Sequence, residues 1–164
     1  MKTAKILILA VVFVLIATSL AGCFGPSEKV FSKAGMSITL DSGFREKEYV
    51  SHTVCYDSKD VAIFVLKEEF NLFENMDIDA AALSLNEYAE IVIANHSVEA
   101  DVQTKDGLTY FKYNRTANGK EYTYSAYVYK TDDAFWLIQF ATEQDEFDQN
   151  AERIEGFAKS VKFD

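Results

Sequence analysis

The run Ala134–Thr142, AFWLIQFAT, constrains this chain more than any other segment. Side chains of a β-strand point alternately to the two faces of its sheet. Here both parities are apolar: Phe135, Leu137 and Ala141 on one side, Trp136, Ile138 and Phe140 on the other. An antiparallel strand with one wet face would alternate apolar with polar residues. This strand needs cover on both faces and so belongs inside a layered structure. The expected fold class is therefore α+β, an α/β/α sandwich in which a mainly antiparallel central sheet carries helices on both faces.

The covering helices are legible. Ser84-Leu85-Asn86-Glu87 is a capping-box pattern, in which Ser84 accepts from a free amide and Glu87 reaches back to the Ser84 amide. Leu85, Tyr88, Ala89, Val92 and His96 follow at helical spacing and predict a helix from Ser84 to about Asn95. At the other end, Phe147, Ala151, Ile154, Ala158 and Val161 mark an amphipathic closing helix. Met36–Leu40 (MSITL) reads as a short strand, and Tyr49–Tyr56 with Val61–Lys67 as a hairpin around Asp57-Ser58-Lys59-Asp60. Val98–Lys105, Leu108–Ala117, Lys120–Thr131 and Ala134–Thr142 read as a four-strand meander. Its clearest turn is Asn118-Gly119, because both central positions of such a turn need positive φ. Phe70–Leu83 fits neither period and is expected to be a loop with some helical turn.

The first residues are an address. Lys2 and Lys5 precede an unbroken apolar run, Ile6–Ala17, the pattern of a secretory signal. An uncleaved membrane anchor is the alternative, but Ile6–Phe24 is barely long enough to span. The next residues, Leu20-Ala21-Gly22-Cys23, resemble the lipobox of bacterial lipoproteins. That resemblance implies that the Cys23 thiol receives a diacylglycerol and that cleavage after Gly22 makes Cys23 the mature N-terminus. Two or three acyl chains give stable membrane residence, where one would be marginal. The expected organisation is a signal peptide over 1–22, a lipidated N-terminus and tether over 23–34 holding the chain's one proline, Pro26, and a single domain over 35–164. It would sit on the outer side of the cell membrane, or at the outer membrane where the host has one.

Loss of Lys2 and Lys5 takes the net side-chain charge from −10 to −12. Such a domain is repelled by anionic membrane surfaces and has no general attraction for nucleic acid.

Few residues are suited to catalysis. With Cys23 acylated, Cys55 has no disulfide partner and reads as a small buried residue. His52 lies in the predicted strand Tyr49–Tyr56, three residues from Cys55 and so on the opposite face, and His96 ends the first helix, where an imidazolium favours the dipole. Neither histidine belongs to a zinc or hydrolase motif, and no glycine-rich phosphate loop is present. Of the carboxylate groups, Asp77-Ile78-Asp79 lacks the glycine and closing glutamate of a calcium loop, Asp132-Asp133 is a turn, and Glu143 with Asp145, Glu146 and Asp148 begins a helix, where negative charge suits the dipole. No metal, cofactor or catalytic residue is expected. Aromatic residues offer more. Tyr122 and Tyr124 fall on one face of their strand, Tyr127 and Tyr129 on the other, and the predicted loop carries Phe70 and Phe73. These six form a candidate binding surface, with core packing as the alternative for each.

The order of short strands, helix, four-strand meander and closing helix is similar to the PsbP-like fold. The runs SLNEYAE at 84–90 and FAKSVKF at 157–163 resemble segments of bacterial lipoproteins of this group. PsbP-like domains include photosystem assembly subunits, a Ran-binding import factor and DcrB-like envelope proteins, and their shared theme is binding without catalysis. The resemblance thus implies a non-enzymatic, lipid-anchored binding or assembly module with an envelope protein or peptide as partner. A lipoprotein that captures a cation or small ligand is the alternative, and an envelope hydrolase ranks last.

Overall fold

The structure is a computed structural model and describes residues 27–164 apart from Asp77. The signal segment, Gly22 and Cys23 lie outside the described residues, as does Asp77 of the Asp77–Asp79 cluster. In chain order the strands are β1 (Glu28–Lys33), β2 (Met36–Asp41), β3 (Arg45–Lys47), β4 (Val54–Asp57) and β5 (Ala62–Glu69). A 3-10 segment (Phe70–Met76) and helix α1 (Leu85–His96) precede β6 (Gln103–Lys105), β7 (Leu108–Ala117), β8 (Lys120–Lys130) and β9 (Ala134–Glu143). Helix α2 (Phe147–Lys159) and β10 (Lys162–Phe163) close the chain.

Seven strands form the main sheet in the order β3-β4-β5-β9-β8-β7-β6, every neighbouring pair antiparallel. As its composition requires, β9 lies in the middle of this sheet and is buried at nine of its ten positions. Trp136, Ile138 and Phe140 pack with Ile154, Phe157 and Ala158 of α2 on one face. Phe135 and Leu137 pack with Tyr88, Ala89 and Val92 of α1 on the other. The α+β sandwich with a helix on each face is what the structure contains.

The α2 face also carries a layer the sequence did not disclose. β1, β2 and β10 form a separate three-stranded sheet, and Met36, Ile38 and Leu40 of β2 point into the same core as α2. Arg153 of α2 joins the two elements, its Nε donating to Asp41 Oδ2 at 2.6 Å while the guanidinium lies over Phe44 and Phe157.

Three expectations need correction. Glu28–Lys33, ahead of the expected boundary at residue 35, is part of the fold, because β1 pairs along its length with β2 and buries Phe31. The segment assigned to a tether therefore supplies a strand. Tyr49–Tyr56 is not one strand either: the chain loops through His52 before β4, and β3 pairs on the far side. Third, Val98–Lys105 contributes only the three residues of β6. The αL residue Ser97 (φ 52°) ends α1, and Val98, Ala100 and Val102 then pack irregularly against the α1-side core.

Local signals did their part elsewhere. Ser84 and Glu87 form the expected capping box, the Glu87 amide donating to Ser84 Oγ at 3.3 Å and the Ser84 amide to Glu87 Oε2 at 2.8 Å. Asn118 and Gly119 take φ values of 52° and 77°, the left-handed pair that a tight hairpin needs, and set the Ala117–Lys120 register of β7 and β8.

Candidate functional site

Neighbouring strands lie about 4.8 Å apart, so seven of them are wider than one helix of about 10 Å can cover. Helix α2 and the small sheet cover the β4-β5-β9 half of their face. Towards β7 and β6 the helix overhangs the sheet, and a cleft of about 710 Å³ opens beneath it. That is within the size range of small-molecule sites.

The strand side of this cleft is formed by Leu108, Tyr110 and Lys112 of β7 and by Ser125 and Tyr127 of β8. Register puts Tyr110 directly opposite Tyr127, and their rings stack at 5.3 Å between centroids. Burial pushes the Tyr127 phenol up to about 12, so it stays protonated and neutral. The helix side presents Phe147, Ala151 and Gly156. A Cβ placed on Gly156 would meet no atom within 4 Å. A mid-helix glycine costs about 0.5–1 kcal/mol relative to alanine, and here its missing side chain leaves the wall open.

Lysines gather at the cleft, although the chain as a whole has 26 acidic and 16 basic residues. Lys105 Nζ and Lys159 Nζ donate to the two oxygens of Glu155 at 2.8 and 2.6 Å, and Lys159 also reaches Asp106 Oδ2 at 2.9 Å. These bonds hold the Glu155 carboxyl down at about 2 and raise both lysines. Lys112 is different. Its ammonium lies 5.7 Å from the Tyr110 ring centre and 5.0 Å from that of Phe147, and it forms no ion pair among the described residues. Glu152 stands exposed on the helix rim.

The six aromatic candidates are scattered by the fold. Tyr127 lines the cleft. Tyr129, on the same face, is committed to structure, its hydroxyl donating to the Ala158 carbonyl at 2.8 Å. Tyr122 and Tyr124 are half-buried on the α1 face, where Tyr124 stacks on Tyr113 at 4.8 Å. Phe73 is a buried core residue, and Phe70 packs half-buried on Phe135. The exposed apolar residues of that segment are instead Leu72 and Met76, at 59% and 63% exposure. They edge a pocket of about 100 Å³ over α1, where the Tyr88 hydroxyl donates to Glu68 and His96 Nδ1 is buried with no hydrogen-bond partner among the described residues.

His52 does not sit in a strand; its ring packs tilted against Phe64 at 5.3 Å between centroids, and burial lowers its pKa. Neither histidine lines the large cleft. Cys55 is buried in β4, and its thiol is pushed up by desolvation. Lys112, Phe147 and Gly156 were missed as site residues by sequence reasoning. The alternation Leu108-Tyr110-Lys112 in an acidic chain was the available signal, but nothing local shows that α2 would face it.

No family model and no curated protein matches the chain. Solved structures do. The solution structure of cyanobacterial PsbP (CyanoP) from Synechocystis is 14% identical over 87% of this chain and 96% of that one, with a TM-score of 0.53. The Saccharomyces cerevisiae Ran-binding protein Mog1p is 10% identical over 85% of this chain and 96% of that one, with a TM-score of 0.56. This is a PsbP/Mog1-like α+β fold. A Bacteroides thetaiotaomicron protein also matches, at 14% identity and a TM-score of 0.53 over 84% of this chain and 48% of that one. At these identities the likeness is one of fold, and function has to be argued from the site.

Proposed function

We propose that this protein is a lipid-anchored, extracytoplasmic, non-catalytic binding module of the cell envelope, and that the cleft beneath α2 is its binding site. The cleft carries this reading: it is concave, of small-molecule size, walled by Tyr110, Tyr127 and Phe147, and edged by lysines. Its polar groups are ammonium, carboxylate, phenol and hydroxyl, with both histidines elsewhere. The fold is compatible with such a role, since Mog1p is a Ran-binding protein on the same scaffold.

The lipobox Leu20-Ala21-Gly22-Cys23 supplies the compartment. Metabolic labelling with an alkyne fatty acid, followed by fractionation, tests the anchor. The wild type should be labelled and membrane-bound, whereas Cys23→Ala should accumulate as an unlabelled, uncut precursor. Normal acylation of that variant, or a cytosolic wild type, would overturn the assignment.

Among the alternatives, a small-ligand carrier is favoured over a cation carrier. The cleft is walled by aromatic rings and edged by ammonium groups, which suit an organic ligand better than a cation.

A further inference from the structure

The cleft's charge pattern narrows its ligand, provided that it is the binding site proposed above. Glu155 is saturated by Lys105 and Lys159, so this acid and its two cations form a closed cluster at the helix wall. Lys112 remains. It reaches across the cleft from the strand floor to the helix, between the rings of Tyr110 and Phe147, and donates to no acceptor among the described residues. An ammonium has three donors and no acceptor, and its strongest partner is an anionic oxygen. The stacked Tyr110–Tyr127 pair and Phe147 provide flat apolar surface on either side of it. Gly156 keeps the volume between them clear.

We infer that the cleft binds an amphipathic anion: an apolar or flat body lies between the tyrosine pair and Phe147, and one carboxylate, phosphate or sulfonate group is held by Lys112. A cationic ligand would meet the unpaired Lys112 ammonium. A neutral one would leave the Lys112 donors unused, and a highly charged one would meet Glu152 at the rim.

The probe is 8-anilinonaphthalene-1-sulfonate, with neutral N-phenyl-1-naphthylamine as its uncharged counterpart. Both are titrated by fluorescence into the acylated protein in non-ionic detergent, with empty micelles subtracted. Lys112→Met should weaken the sulfonate at least fivefold and leave the neutral probe within twofold, while Lys112→Arg should restore sulfonate binding. Gly156→Phe, at a cleft-lining position where an added Cβ meets no atom within 4 Å, puts a ring in the cleft and should abolish both signals. If Lys112→Met changes neither probe, or both equally, while Gly156→Phe abolishes both, the anion rule is wrong and the cleft reading stands. If Gly156→Phe changes neither, the cleft is not the site and both proposals fall. Competition by oleate or by naphthalene-2-sulfonate then separates an acyl-chain ligand from an aromatic one. Equal competition by uncharged naphthalene would count against Lys112.

Discussion

The two faces of the central sheet are covered in different ways. On the α2 face, a helix and a second sheet are fastened by side chains distant in sequence. Arg153 binds Asp41, Tyr129 donates to the Ala158 carbonyl, and Ser160 Oγ accepts from the Thr39 amide at 2.9 Å. On the α1 face the cover is one helix and a 3-10 segment. Its polar ties are Tyr88 to Glu68 and Lys130 to the carbonyls of Ala81 and Leu83, both at 2.7 Å. Leu72 and Met76 remain exposed there. The contrast shows where a preformed site belongs. A cleft keeps its shape when its walls are tied to rigid elements, and the large cleft lies on the better-tied face.

The strongest way to break this comparison is to remove a ring from the tied face. Phe140 is fully buried between Tyr127 and Phe157, and Phe140→Ala should cost about 3–5 kcal/mol of stability in urea unfolding. A loss below about 1 kcal/mol would show that this core collapses easily and that the distinction between faces is empty.

Arg153→Met is next. It keeps some of the packing on Phe44 and Phe157 but strips the cation from Asp41, whose side chain is only 13% exposed. Charge-assisted hydrogen bonds contribute about 1.5–3 kcal/mol, and a loss of that size is expected. Hydrogen exchange should accelerate in β1 and β2 ahead of β7. Uniform acceleration would mean that the small sheet is not a separately tied layer.

On the other face, Ser84→Ala removes the α1 cap and should cost about 1 kcal/mol, with faster exchange at the helix N-terminus. Equal acceleration in α2 would contradict independent covers.

The smallest effect is electrostatic. Glu155 is partly buried, and its carboxyl is held at about 2 by Lys105 and Lys159 against an ordinary value near 4.5. A carboxyl lowered in the folded state stabilises fully above its unfolded value and loses that contribution as the pH falls through the folded one. Glu155→Gln should therefore lower the melting temperature slightly at neutral pH. The gap should close by about pH 2, and also in about 1 M salt, where the screening length is about 3 Å. A gap that persists in acid would assign Glu155 a packing role instead.

How far these features were legible varied with the range of the forces that make them. The two-sided apolarity of Ala134–Thr142 placed β9 in a covered sheet, and local hydrogen bonding placed the Ser84 cap and the Asn118-Gly119 turn. The binding candidates fared worse. Parity assigned Tyr127 and Tyr129 to one face, but only α2 decided that Tyr127 borders open space while Tyr129 is bonded to Ala158. Phe73 read as exposed because its segment has no period, yet the 3-10 turn folds it onto Tyr88 and Phe135. Glu28–Lys33 read as a tether because a short charged strand shows its nature only beside β2.

The sequence by itself determined the central strand, both helices and the Ser84 cap, since these depend on residues within one turn or one strand of each other. Tertiary structure alone decided that MSITL joins a second sheet, that Arg153 meets Asp41 across 112 residues, and that Lys112 faces Phe147 over a cleft. Those pairings are selected by which surfaces bury most completely against one another, a property of the whole chain that no local window contains.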